Sequence, residues 1–218
     1  MKYMRKNIFL IISFIFISII CFGQDYFPQM SSQNDSIYDK TFFFQDFDKE
    51  LLLDTAFNNK ISPFCNAWYS KHLKVLEEPI IYSDKSDKEI IRFTWLRTFH
   101  NPIVIRIENS NGIYSIYWKK SNGAGGYSPG NLVINEEKQI DIQQWTDIVN
   151  QLNECVFWEI PTNYPTFGFD GAQWILEAKI DGKYHIVDRW SGKKSEIGQF
   201  CLNLFKMTNL NIKKSETY

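Results

Sequence analysis

Two alternating runs, Gln173–Ile180 and Lys183–Trp190, meet at a single Asp181-Gly182 and constrain the fold more than any other stretch of the chain. Alternation sends successive side chains to opposite faces of a strand, and Asp-Gly between two such runs marks a β-hairpin. Two turns can close it. A two-residue type I′ turn sets Ile180 opposite Lys183 and mixes Trp174, Leu176 and Ala178 with Lys183, His185 and Arg189 on one face. A type I turn over Ile180-Asp181, with Gly182 at positive φ in a G1 bulge, instead pairs Lys179 with Lys183, Glu177 with His185 and Trp174 with Asp188. The bulged register gathers Trp174, Leu176, Ala178, Tyr184, Ile186 and Trp190 on one face, interrupted only by Asp188. A half-buried sheet selects the cleaner segregation, so the bulged register is expected. It implies a Glu177–His185 pair that raises the histidine pKa.

Other strands surround the hairpin. Ile80–Tyr82, Ile90–Phe99, Ile103–Glu108 and Ile113–Lys119 alternate or are β-branched and aromatic, and Leu132–Ile134 reads as a further strand. The polar turns between them are short, which implies antiparallel neighbours. Ser62-Pro63 opens a helix whose apolar stripe reads Phe64, Ala67, Trp68, Val75 and Leu76, ending at Glu78-Pro79. Asp141 and Gln144 make a capping box before Trp145, Ile148, Val149, Leu152 and Val156. A third helix spans Ser195–Thr208, a short one is expected over Asp48–Ala56, and Phe157–Pro161 reads as extended. The expected class is α+β: an antiparallel sheet of six or more strands packed by two or three helices, in one domain over residues 42–210, with a fraying polar tail over 211–218.

The first 23 residues read as a signal peptide. Lys2, Arg5 and Lys6 precede the apolar run Ile8–Phe22, which is short for a membrane span, and Gly23 offers a small residue for cleavage before Gln24. A lipoprotein acylated on Cys21 is the runner-up, with bulky Ile20 standing against it. Gln24–Lys40 is polar and reads as a flexible lead. Loss of three positive charges and no acids takes the net charge from −1 to −4, which leaves nothing basic enough for nucleic acid. Cys65, Cys155 and Cys201 remain, each in or beside a helix among apolar neighbours; buried thiols are expected, with one disulfide as the alternative.

Motifs for chemistry are sparse. G-x-S-x-G is absent, and His72, His100 and His185 lack metal-ligand spacing, so no metal and no cofactor is expected. Ser121–Gly130 is glycine-rich but runs toward a strand rather than a helix N-terminus, which disfavours a phosphate cradle. The candidate binding residues are Arg97, Asp170, Trp174, Glu177, His185 and Asp188. Asp170, Glu177 and Asp188 are the carboxylates that a hydrolase would need to bring together. Asp188 and Arg97 each interrupt an apolar face of their own strand, which suggests that they meet as a buried pair.

The strings Trp68–Leu73, Arg92–His100, Gly125–Gly130, Phe169–Glu177 and Tyr184–Ser191 together resemble a group of uncharacterised, often exported bacterial proteins. The resemblance spans about Phe64 to Leu204 and implies export, but no activity, cofactor or catalytic residue. The expected function is that of an exported, periplasmic or secreted interaction or ligand-binding domain. Its partner would be a protein, small molecule or glycan of the envelope. An envelope- or polymer-directed hydrolase using carboxylates of residues 170–188 is the alternative. Intact-mass analysis from the native host should find a chain beginning at Gln24; a diacylglyceryl adduct on Cys21 would establish the lipoprotein instead.

Overall fold

The computed structural model describes residues 24–30, 59–164, 168 and 170–218. The expected leader and the helix over Asp48–Ala56 lie outside the described residues. Helix α1 (Pro63–Val75) begins where Ser62 caps it, its hydroxyl accepting from the Cys65 amide at 3.2 Å, with Pro63 at a position that needs no N–H. Helix α2 (Ile142–Glu154) opens on the reciprocal Asp141–Gln144 box. Helix α3 (Gly198–Lys206) starts later than expected, after a 3-10 turn at Gly192–Lys194.

Strands β1 (Glu89–Arg97), β2 (Ile103–Ser110), β3 (Ile113–Ser121), β4 (Leu132–Gln139), β5 (Ala172–Ile180) and β6 (Lys183–Trp190) form one antiparallel sheet, ordered β4-β3-β2-β1-β5-β6. With three helices this is the α+β architecture that the patterning predicts. Ile80–Tyr82 is not a strand: Ile81 is buried and its carbonyl closes a turn with the Asp84 amide at 3.1 Å. Phe157–Pro161 is not extended either. Val156, at φ 51°, ends α2 and turns the chain into a run of bonded turns.

Both faces of the sheet are covered. Over one, α2 and α3 pack Trp145, Ile148, Leu152, Phe200 and Leu204 on Phe93, Trp95, Ile105, Ile116, Trp174 and Leu176. Over the other, α1 and residues 26–30 pack Tyr69, Leu73 and Phe27 on Leu96, Val104, Ile175 and Ile186. Tyr26–Met30 is therefore packed rather than flexible, and the remainder of the expected lead, 31–40, lies outside the described residues. Tyr26, Phe27 and Met30 are buried, the Met30 amide bonds the Ile61 carbonyl at 3.0 Å, and Asn66 Nδ2 bonds the Phe27 carbonyl at 2.9 Å.

Burial on both faces decides the hairpin against the expected bulge. Ile180 pairs with Lys183, Trp174 with Arg189 and Ala178 with His185, while Asp181 at φ 50° and Gly182 at φ 72° make the type I′ turn. The bulged register was attractive because it spares a wet face from mixing; this sheet has no wet face at β5, whose residues are buried from Ala172 to Lys179 apart from half-buried Gln173. The buried charged residues of the hairpin, Glu177, Lys179, Asp188 and Arg189, are accommodated by polar partners instead of by exposure.

That pairing is densest under the connection from α1 to β1. Arg92 donates from Nε and Nη2 to Glu177 Oε2 at 2.8 and 2.6 Å and from Nη1 to the Pro79 carbonyl at 2.6 Å. The Tyr184 hydroxyl donates to Glu177 Oε1 at 2.8 Å. Glu78 receives Arg106 Nε at 2.9 Å and Lys119 Nζ at 3.1 Å, and Arg106 also bonds Glu108. Burial pushes the Glu177 carboxyl up; Arg92 first and Tyr184 next pull it back, and Glu177 in turn raises the guanidinium. Arg92→Met should cost about 3–5 kcal/mol in urea unfolding because it strands Glu177, and Arg92→Met with Glu177→Leu should cost less than the sum of the two singles.

Candidate functional site

The loops meet at the end of the sheet where β1 finishes. The glycine-rich loop joins β3 to β4 and folds onto the β1–β2 turn, its Gly125 amide bonding the His100 carbonyl at 3.0 Å and its Gly126 amide the Thr98 carbonyl at 3.2 Å. Asn101 Nδ2 donates to the Gly123 carbonyl at 2.9 Å. A Cβ on Gly125 would stand 2.5 Å from the Arg97 nitrogen, so only glycine allows the loop this close.

That approach sets Tyr127 beside Phe99, ring centroids 6.2 Å apart. On the other side, Trp68 of α1 donates its indole N–H to the Gly125 carbonyl at 2.8 Å, and Phe64 lies one helical turn before it at 6.4 Å. Phe64, Phe99 and Tyr127 are 63%, 57% and 60% exposed. Phe64 with Trp68 and Phe99 with Tyr127 make two aromatic pairs at the loop end, linked through the Trp68–Gly125 bond.

The helical spacing predicts a core-facing stripe of Phe64, Ala67, Trp68, Val75 and Leu76. In α1 the buried residues are instead Asn66, Tyr69, Ser70, His72 and Leu73. The buried side is polar because it bonds the N-terminal segment: Tyr26 N donates to Ser70 Oγ at 3.0 Å, and Ser70 Oγ donates to Asn66 Oδ1 at 2.9 Å. The spacing misplaces Phe64 and Ala67, which are exposed, whereas Trp68 packs part-buried on the core and Leu76 is fully buried. The available signal was Phe64 and Trp68 at i and i+4 with the Asn66/Ser70 pair out of phase between them. His72 is fully buried, and burial lowers its pKa to about 4, holding it neutral.

Trp68 backs onto an acid. The Tyr69 ring is 5.2 Å from that of Trp68, and its hydroxyl donates to Asp188 Oδ2 at 2.8 Å. Burial raises the Asp188 pKa to about 6, against the Tyr69 bond and the Arg189 charge, which lower it. Perturbed acids of this kind gather at functional sites, and here the acid sits behind Trp68, which bonds the glycine-rich loop.

The remaining candidates separate. Arg97 and Trp174 do share the α2/α3 face, where the Arg97 guanidinium lies 4.7 Å over the Trp95 ring. Arg97 does not meet Asp188: it pairs with Ala172, whereas Asp188 pairs with Ile175, an odd number of residues along β5, so the two point to opposite faces. Glu177 and His185 are likewise on opposite faces. His185 bonds the Ile160 carbonyl through Nε2 at 3.0 Å and Asn59 Oδ1 through Nδ1. Burial lowers its pKa, the Ile160 carbonyl opposes, and Arg189 lowers it further, overturning the expected rise. Glu177 is engaged on both oxygens and fully buried, and Asp170 is exposed in a bend, so the three carboxylates do not converge on an open cleft.

Cys65, Cys155 and Cys201 form no disulfide; burial raises the Cys155 thiol and raises Cys201 well above its ordinary range. Among the described residues no helix is long and apolar enough to cross a membrane. No protein-family model matches the chain, and no curated protein matches it.

The Asp188 shift has a definite sign. An acid whose folded pKa is raised contributes its full stability below the unfolded value near 3.8 and loses it as pH rises through about 6. The loss at neutral pH amounts to about 3 kcal/mol. Asp188→Asn keeps an acceptor for Tyr69 and should be more stable than the parent at pH 8 while flattening the stability profile between pH 4 and 6, measured by thermal unfolding. A parent whose stability rises across that interval with a slope abolished by Asp188→Asn would show the opposite shift.

Proposed function

We propose that the chain is an exported, non-catalytic binding domain that holds a protein or glycan of the envelope on the aromatic pairs Phe64–Trp68 and Phe99–Tyr127. The basic, apolar leader pattern supports export. The observation that carries the binding reading is three large aromatic side chains, Phe64, Phe99 and Tyr127, each more than half exposed, with Phe64 against Trp68 and Trp68 bonded to the loop that carries Tyr127. Exposed apolar groups are ordinary when scattered; grouped and rimmed by polar loops they mark interaction surfaces. Tyr and Trp suit such work because they offer wide contact at little cost in side-chain freedom.

The non-catalytic reading draws on the carboxylates. Glu177 is sequestered in the Arg92 network and Asp188 is buried against the Tyr69 hydroxyl, so neither offers the open carboxylate that glycoside hydrolysis uses. Asp188 instead supports Tyr69 and, through ring contact, Trp68.

Phe99→Ala with Tyr127→Ala tests this surface. Both side chains are exposed, so the melting temperature should move little. Retention on purified native envelope polysaccharide, and on the protein fraction of the same envelope, should fall at least tenfold in one of the two assays. Equal retention of parent and variant in both would end the proposal. Release of soluble fragments from the polysaccharide by the parent would establish the hydrolase.

A further inference from the structure

The chain's last residues do not fray. They cross the α2/α3 face and finish on the end of β1, where four elements each supply an anchor. Arg97 of β1 reaches Glu216 Oε2 at 3.4 Å through Nη1. Trp174 of β5 donates its indole N–H to the Tyr218 carbonyl at 2.9 Å. His100, in the β1–β2 turn, bonds the Tyr218 hydroxyl through Nδ1 at 2.7 Å, and Lys193 donates to the Thr217 carbonyl at 3.0 Å. No strand pairing ties the segment to the sheet; its backbone makes only a 3-10 turn with itself at Lys214–Glu216.

The anchors and their occupant are unequal. Arg97 is 2% exposed, while the Glu216 side chain is 24% exposed and touches a single guanidinium nitrogen at a distance longer than the 2.7–2.9 Å of a good charge-assisted bond. Arg97 Nε and Trp95 Nε1 are buried beside this contact and have no hydrogen-bond partner. Buried donors in folded proteins are rarely left so. A carboxylate lying flat against Arg97 would take Nε and Nη together, which the strapped Glu216 does not do. Burial pulls the Arg97 guanidinium down and Glu216 chiefly opposes, while Nη2 donates to the Asn101 carbonyl at 2.9 Å.

We infer that the surface formed by Arg97, His100, Trp174 and Lys193 is a binding site for an acidic peptide of the form Glu-x-aromatic from a partner protein, and that Glu216-Thr217-Tyr218 occupies it as a displaceable internal ligand. This site lies on the opposite side of the sheet from Asp188 and Tyr69 and uses none of the four rings of the aromatic pairs. Its success or failure is therefore separate from that of the proposed binding function. Tethering gives the internal segment an effective concentration of about millimolar, so a foreign peptide binds the parent chain weakly until the segment is loosened.

The probe is the peptide acetyl-Lys-Ser-Glu-Thr-Tyr-amide, titrated into the full-length protein and followed by tryptophan fluorescence and by the Trp174 indole N–H resonance. Glu216→Ala with Tyr218→Ala, which removes two side-chain anchors from the internal segment, should bind the probe at least tenfold more tightly than the parent. The same peptide with Gln in place of Glu should lose most of that affinity. Equal affinity for parent and variant, no binding to the variant, or equal binding of the Glu and Gln peptides each overturns the inference. Concentration-dependent dimers of the parent in light scattering, absent from the variant, would also overturn it by making a second copy's segment the occupant.

Discussion

The bond pair between Arg92 and Glu177 fixes more of this molecule than any other contact. It crosses from β1 to β5, which lie side by side within the sheet. Arg92 also holds the Pro79 carbonyl, and Glu78 next to it gathers Arg106 and Lys119 from β2 and β3. One cluster thus clamps the chain leaving α1 onto four strands. A buried ionic cluster is weak evidence for high stability, since desolvation offsets its attraction. What it supplies here is specificity. Each acid and cation is placed for its partners, and sliding β5 by one residue along β1 would send Glu177 to the other face and deprive Arg92 of its shortest ion pair.

The same cluster explains which expectations the sequence supported. Local signals transferred well: Ser62-Pro63 and Asp141–Gln144 start helices, and the turn clusters separate antiparallel strands, because each depends on a few adjacent residues. Signals that require knowing what covers a face did not transfer. The bulged hairpin, the Glu177–His185 pair and the Arg97–Asp188 pair all followed from assuming one wet face, and β5 has none. Of the candidate binding residues, Asp188 was legible as an acid among aromatic neighbours, and Arg97 as a cation among them. Their partners were not, because Tyr69 comes from α1 and Glu216 from the end of the chain, and no period of two or 3.6 links such positions.

Two surfaces with different chemistry result. The aromatic surface is open, apolar and held by backbone bonds to glycines; the Arg97–Trp174 surface is covered and cationic, and its cover is part of the same chain. They lie near one end of the sheet and share β1 as a support, since the Gly125 loop leans on the Leu96–Arg97 backbone.

The strand order also has a kinetic consequence. Strands β1 to β4 pair with sequence neighbours, and so do β5 and β6, so each group can assemble through short loop closures. The seam that unites them joins β1 to β5 across the whole length of β2, β3, β4 and α2. Closing so long a loop is entropically slow, and only then can Arg92 find Glu177. During synthesis the four-strand meander therefore emerges with one flank of β1 unsatisfied, a ready template for pairing with another chain. The hairpin that reaches this flank last is also what removes the hazard.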